Sequence, residues 1–219
     1  MPSRSKQNQR IRKSGKNNEK RHTSLQKEGS FRVIGGEWRS RRLSFPAIEG
    51  LRPTTDRVKE TVFNWLMPSI EGARVLDLFA GSGSLGFEAL SRGADHLTAI
   101  EKNREAARSL TNNLELLGVR SDEMVDVINQ DAIAWLEHGF KESTGKTYDI
   151  VFLDPPFRKN FLNECLLLLI NQGLLKPGAL VYIEKELEDI ETMVPLTWHC
   201  LKEKVAGQVC YQLYKTGPN

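Results

Sequence analysis

Val75-Leu76-Asp77-Leu78-Phe79-Ala80-Gly81-Ser82-Gly83-Ser84-Leu85-Gly86 is the stretch on which the fold turns. An apolar run that suits a buried strand passes through three glycines, at the spacing GxGxxG, into a run that suits a helix. Glycine at these places makes the tight turn and lets the backbone approach a ligand closely. By itself the fingerprint does not separate a dinucleotide from another nucleoside cofactor.

Working outward, strands and helices alternate from Ala73 onward. Strands are expected at Arg74–Phe79, Leu97–Ile100, Val125–Ile128, Asp149–Leu153 and Ala179–Ile183. Helices are expected at Ser84–Ser91, Arg104–Leu117, Ala132–Glu137 and Phe161–Ile170. Trp198–Lys204 and Gln208–Tyr214 read as a closing antiparallel pair joined near Ala206-Gly207. Such alternation specifies an α/β fold whose mostly parallel sheet carries helices on both faces. Ahead of it, Phe31–Ile34 and Arg41–Phe45 suit a small hairpin with Gly35-Gly36 as turn chemistry. Thr54 or Thr55 can cap a helix to about Leu66, with Val58, Val62, Phe63 and Leu66 on one face.

The 219 residues suit one globular domain with an extension, and no apolar run is long enough to span a bilayer. Residues 1–28 hold nine basic residues against Glu19 and Glu28, a net +7 in a chain of +3, so the remainder is −4. The tail's Ser, Asn, Gln and Lys content predicts disorder, and its charge suits either a polyanion-binding arm or a solvated appendage. Domains are therefore expected as a basic tail at 1–28, a hairpin-and-helix extension at 29–70 and a catalytic domain at 71–219. Cys165, Cys200 and Cys210 make no CxxC pair, which favours free thiols in a reducing cytoplasm. Cys200 and Cys210 can face each other across the closing hairpin, or serve as small buried apolar residues. The histidines are scattered and form no metal site.

Glu101 ends the second strand 20 residues beyond Gly81, the place for an acid that grips ribose hydroxyls. NAD and S-adenosylmethionine both satisfy this. Asp77 separates them: an acid before the glycine loop suits a ligand with a cationic amino-acid end and disfavours a pyrophosphate. The segment Asp77-Leu78-Phe79-Ala80-Gly81-Ser82-Gly83 resembles motif I of the class I methyltransferases. The resemblance implies that Asp77, Phe79, Ala80, Gly81, Ser82, Gly83 and Gly86 surround S-adenosylmethionine. Glu101 with Lys102, and Asp131 with Ala132, would then meet its nucleoside, Asp131 at the adenine amino group. Asp131 can equally cap the helix beginning at Ala132.

Asp154-Pro155-Pro156-Phe157 follows the fourth strand and resembles the (Asp/Asn)-Pro-Pro-aromatic motif of methyltransferases acting on amino groups. An exocyclic amine shares its lone pair with the ring, so it is a poor nucleophile. Acceptors for its N–H bonds, the Asp154 carboxylate and the Pro155 carbonyl, favour the pyramidal nitrogen that attacks. Pro155 and Pro156 hold that carbonyl rigidly. Phe157 can stack on a base drawn out of its helix or loop.

Arg32–Arg42, Leu51–Leu66, the glycine motif, Asp154–Phe157 and Glu203–Val209 together resemble the bacterial 16S ribosomal RNA guanine-N2 methyltransferase family, over nearly everything from Phe31 to Tyr214. The basic tail lies outside the shared pattern. The resemblance implies a seven-stranded Rossmann-like sheet with its last strand antiparallel, S-adenosylmethionine as cofactor, and methyl transfer to guanine N2. The expected partner is 16S ribosomal RNA, free or in an assembling small subunit, with no metal, no membrane and a monomeric enzyme in the cytoplasm. Trp38, Arg39, Arg41 and Arg42 make a basic, aromatic patch suited to RNA, although Trp38 also suits the core of the hairpin. Arg52 and Arg57 can touch RNA or the cofactor, or pair with Asp56 or Glu60. An adenine-N6 methyltransferase acting on DNA or RNA, and a non-catalytic ribosome-assembly factor, remain alternatives.

Overall fold

A computed structural model describes residues 28–119, 124–138, 147–156, 161–188 and 192–217. The basic tail up to Lys27 and Phe157 lie outside the described residues. The chain opens with an antiparallel pair, β1 (Gly29–Arg32) and β2 (Arg42–Phe45), and with α1 (Asp56–Leu66). Then come β3 (Arg74–Asp77), α2 (Ser84–Ser91), β4 (His96–Ile100), α3 (Arg104–Leu117), β5 (Val125–Ile128) and α4 (Ala132–His138). The chain continues through β6 (Tyr148–Leu153), α5 (Phe161–Asn171), β7 (Leu175–Glu186), β8 (His199–Ala206) and β9 (Val209–Lys215).

The main sheet has seven strands in the order β5-β4-β3-β6-β7-β9-β8. It is parallel throughout except at β9, which runs antiparallel to β7 and β8. This is the expected α/β fold. Strand order reverses between β3 and β6. The two connections leave a crevice at the carboxyl ends of those strands, where open α/β sheets bind their ligands.

Successive residues feed opposite faces, as the two-residue strand period requires. Val75, Ile150, Phe152, Leu180 and Tyr182 enter one apolar cluster, while Leu76, Val151, Leu153, Val181 and Ile183 enter the other. α4 and α5 cover the second cluster through Trp135, Leu136, Leu162, Cys165, Leu166 and Leu169. The first is covered by α2, α3 and the extension, with Phe31, Leu43, Val62, Phe63 and Leu66 in the same cluster as the sheet. Residues 29–70 thus share the core of the domain they precede.

Several expectations are refined. Thr55 caps α1, its hydroxyl accepting the Val58 N–H at 3.4 Å. The apolar face of α1 also buries Lys59, which shares the helical spacing of Val62, Phe63 and Leu66 although lysine is ordinarily exposed. β7 begins at Leu175, not Ala179: Leu175 pairs with Tyr148, and Pro177-Gly178 are absorbed as a register shift that masks the strand in sequence. Cys200 lies opposite Tyr214 and Cys210 opposite Val205, so the two thiols do not face each other. Cys200 is exposed because the whole of β8 is an exposed edge strand.

The hairpin loop is sewn to the end of α2. The Glu37 and Trp38 N–H groups donate to the carbonyl and hydroxyl of Ser91 at 2.7 and 2.9 Å. A Cβ on Gly36 would stand 1.6 Å from the Ser91 carbonyl oxygen, so only glycine permits this approach. Beside it, the Glu88 carboxylate accepts from the Ile34 N–H at 2.8 Å and Arg92 Nε at 2.7 Å. Lys59 Nζ lies 3.9 Å from Glu88, 3.5 Å from Asp56 and donates to the Arg32 carbonyl. Both Lys59 and Glu88 are 0% exposed, and each is compensated.

Candidate active site

β3 ends at Asp77 and the chain turns through Leu78–Gly83 into α2. Gly83 caps that helix in the left-handed region (φ 81°), and a Cβ there would meet the Phe87 ring at 2.4 Å. The turn is braced by Ala80 N–H to Ile100 carbonyl at 3.0 Å and Gly83 N–H to Ala80 carbonyl at 2.7 Å. Ser82 and Gly86 are buried in it, and Phe79 leans on the second cluster. Asp77 is 2% exposed beneath the loop. Burial pushes its carboxyl up to about 7, against the pull of the Phe79 and Gly86 N–H groups, and the nearby Glu101 charge adds to the rise.

Glu101, just beyond β4, accepts from the Gly81 N–H at 2.8 Å and the Asn103 N–H at 2.6 Å. This ties one carboxylate oxygen to the glycine loop and the other to the turn that precedes α3. Asp131 uses one oxygen to cap α4, accepting the Ile133 and Ala134 N–H groups at 3.1 and 3.3 Å. Its other oxygen accepts from Lys102 Nζ at 3.0 Å, and that contact holds its carboxyl below the usual range. The helix-capping role foreseen for Asp131 is therefore present, and Ala132 is buried behind it.

Asp154 and Pro155 are partly buried and Pro156 is exposed at the end of β6, across the strand-order reversal from the glycine loop. Asp154 lies two residues beyond Phe152 and so shares the first cluster's face. Glu184 stands at the matching step on β7: Leu153 pairs with Ile183, and Asp154 and Glu184 come next. Tyr182 Oη donates to Glu184 Oε2 at 2.8 Å. Burial, then the charges of Glu184 and Asp77, raise the Asp154 carboxyl well above its usual value, and burial raises Glu184 as well. Sequence reading missed Glu184 and Tyr182. The available signal was that Glu184 follows the last apolar residue of its strand just as Asp154 does.

The arginines expected to contact RNA fall into two sets. The segment before α1 lies over the glycine loop: the Thr54 N–H donates to Ser84 Oγ at 3.2 Å, and Leu51 Cδ1 is 3.0 Å from where a Gly81 Cβ would be. Arg52 and Arg57 are exposed on this rim. Asp56 pairs instead with Arg32 at 3.1 Å. Trp38 and Arg41 sit at the other end, while Arg39 is exposed in the hairpin loop and Arg42 is exposed opposite Arg32. Arg41 Nη2 donates to the Leu116 carbonyl at the close of α3, at 3.1 Å, and Trp38 packs on the first cluster beside Ser91. Both α2 and α3 start at the glycine-loop edge and run away from it, so Trp38 and Arg41 are anchored at the end opposite Asp154.

A recess of about 400 Å³ opens among Trp65, Pro68, Lys176, Leu201 and Leu213, at the amino ends of the strands, and none of the expected site residues lines it. The perturbed carboxylates gather at the opposite edge, where open α/β sheets bind their ligands. Among the described residues no group of His, Cys, Asp or Glu could hold a metal ion, and no helix is long and apolar enough to cross a membrane.

Comparison with known proteins adds an independent line. The family model described as conserved hypothetical protein 95 matches residues 31–215. The chain is 48% identical over 187 residues to ribosomal RNA small subunit methyltransferase D of Escherichia coli strain K12, covering 85% of this chain and 90% of that one. Against the protein of the same name from Haemophilus influenzae it is 47% identical over 188 residues, covering 86% and 95%. The solved structure of the Escherichia coli protein yhhF superposes with a TM-score of 0.78 at 44% identity, over 87% of this chain and 100% of that one. On these grounds the chain belongs to the family of the small-subunit ribosomal RNA methyltransferases D.

Proposed function

We propose that this chain transfers the methyl group of S-adenosylmethionine to the exocyclic N2 of a guanine in 16S ribosomal RNA. The observation that carries the reading is the crevice itself: a glycine loop over the buried Asp77, with Asp154-Pro155 across the strand-order reversal, in a chain 48% identical to a named small-subunit methyltransferase.

The residues fit the cofactor. Asp77 is a buried carboxyl with an elevated pKa, the state of an acid that awaits a cationic partner. Glu101, tied to Gly81 and Asn103, is poised for the ribose hydroxyls, and Asp131, fixed by Lys102, for the adenine amino group. Phe79, Ala80, Ser82, Gly83 and Gly86 shape the turn around these groups. The cofactor supplies an electrophilic sulfonium methyl. The chain's work is alignment: Asp154 and the Pro155 carbonyl accept the two N–H bonds of the amine, turn its lone pair toward the methyl, and disperse the positive charge that develops on nitrogen. The proton leaves to water after transfer, so no strong general base is needed. Phe157 stacks on the extruded base.

Arg52 and Arg57, on the rim of the crevice, hold the RNA backbone beside the target. Trp38, Arg39, Arg41 and Arg42 contact RNA beyond it, which suits a large folded substrate. The extension at 29–70 is thus the RNA-facing part and 71–219 the catalytic part, acting as a monomer in the cytoplasm on an assembling small subunit without a metal. The test is methylation of small-subunit RNA, from cells lacking the protein, by the purified chain with S-adenosylmethionine. Nucleoside analysis should yield N2-methylguanosine at one mapped position; N6-methyladenosine, or no product, would overturn the reading.

A further inference from the structure

We infer that Glu184 selects the base: its carboxylate accepts the N1–H of the guanine whose N2 amino group is held at Asp154, and it repels adenine at that place. The inference rests on the guanine-N2 reading above and adds how the site tells one purine from the other.

Three observations place Glu184 in this role. Register comes first. Leu153 and Ile183 are partners on parallel strands, so Asp154 and Glu184 occupy the next step, about 5 Å apart along the hydrogen-bonding direction. Both lie two residues beyond side chains of the first cluster, Phe152 and Tyr182, so both project to that same face at the crevice. Orientation comes second. Tyr182 Oη donates to Glu184 Oε2 at 2.8 Å, and Tyr182 is itself held at 0% exposure with its ring edge-on to Phe152 at 6.1 Å. On its other side Glu184 pairs with Tyr211 of β9, whose ring meets Trp65 of α1 at 5.7 Å. The carboxylate is therefore pinned through one oxygen, and among the hydrogen bonds of the described residues its Oε1 is not engaged. Electrostatics come third. Burial acts against both charges; the Glu184 charge adds to the rise at Asp154, and the Tyr182 hydrogen bond offsets part of it at Glu184, an arrangement that favours a ligand bringing donors.

Guanine brings such donors. Its Watson–Crick edge carries N1–H and N2–H₂ side by side. Two adjacent carboxylates, which are acceptors only when ionised, can take these hydrogens together. Adenine presents a lone pair at N1 next to its amino group. With that amino group at Asp154, the lone pair would face the Glu184 oxygen, an unpaired repulsive contact of the kind that builds specificity.

The test replaces the mapped guanine, in an RNA otherwise unchanged, by 2,6-diaminopurine, which keeps the N2 amino group and has an acceptor at N1. The full-length enzyme should favour guanine by about tenfold or more in kcat/KM, the scale of one well-made base contact. Glu184→Gln, whose amide can present N–H to N1, should lose most of that preference while binding S-adenosylmethionine normally in calorimetry. Tyr182→Phe, which keeps the packing but frees the carboxylate, should narrow it. Equal turnover of both RNAs by the unaltered enzyme would overturn this inference alone, without any variant having to fold. So would an unchanged preference in Glu184→Gln. Methylation of neither RNA would overturn the guanine-N2 reading, and this inference with it.

Discussion

Lys59, Glu88 and Arg92 form one buried charged cluster, and Asp77, Asp154 and Glu184 form another on the same face of the sheet. In the first, opposite charges meet. Glu88 is compensated by Arg92 at 2.7 Å, by the Ile34 N–H and by Lys59, and the result is a joint between the extension and α2. In the second, like charges are neighbours: burial lifts the protonation equilibria of all three, and the charges of Glu184 and Asp77 add to the rise at Asp154. The difference teaches what each cluster is for. A fold that needs buried charge for its own architecture pairs it internally. On the proposed reading, carboxylates left without a cationic partner at the carboxyl edge of a parallel sheet are kept for cationic or N–H-donating ligands.

Breaking the paired cluster should have the largest effect. Glu88→Ala strands Lys59 and Arg92 beside an apolar core and should cost about 3–5 kcal/mol of stability. Thermal denaturation should show a melting temperature lower by roughly 10 °C. A loss near zero would mean the cluster is wet and weak, and the contrast would collapse.

The unpaired cluster should behave in the opposite way. Asp154→Ala should cut kcat by roughly two orders of magnitude or more, the scale for losing an electrostatic partner of the transition state. It should leave the melting temperature unchanged or slightly higher, because one of several repelling carboxylates is gone. Parallel melting and single-turnover measurements separate the two effects; a variant that is both unstable and slow would show Asp154 to be structural.

The pH dependence of stability sharpens the point at Asp77. Its folded pKa, about 7, lies above the ordinary 3.8. Between these values the unfolded chain has released the proton while the folded chain keeps it. Stability therefore falls as pH rises from about 4 to 7 and levels off above. Asp77→Asn, uncharged and nearly isosteric, should flatten that slope in melts taken across the window. The stabilisation conferred by S-adenosylmethionine on the unaltered protein should grow over the same range, as the cationic ligand meets the ionised acid. A slope that Asp77→Asn leaves intact would assign the titration elsewhere.

The smallest effect is expected at Lys102, whose ion pair with Asp131 is largely in solvent. Lys102→Ala should change stability by less than about 1 kcal/mol in chemical denaturation. A larger change would place that pair with the buried joint rather than with the ligand-facing rim.

How much of this is legible in the chain follows from which forces are local. The glycine loop, the Thr55 cap, the Asp131 cap and the alternation of strand and helix each depend on residues a few positions apart, so short stretches of sequence suffice to read them. Hydrophobic period alone assigns Val75 and Ile150 to strands buried on both faces, and the structure places them there. The same period puts Lys59 on the buried face of α1 with Val62, Phe63 and Leu66 but does not show what compensates its charge there, because its partners Glu88 and Arg32 lie 29 and 27 residues away. It shortens β7, because Pro177-Gly178 is turn chemistry unless a neighbouring strand absorbs it as a register shift.

By itself, then, the sequence determined the fold class, the position of the glycine loop and the identity of the Asp-Pro-Pro segment, since backbone conformation and side-chain chemistry at those points are properties of short stretches. Only tertiary structure decided which charges meet. It brought Glu184 beside Asp154 from 30 residues away through strand register. It carried Arg52 and Arg57 to the rim of the crevice while sending Arg41 to the far end of α3. Register and crossover direction are set by how whole elements pack, and no local pattern encodes them.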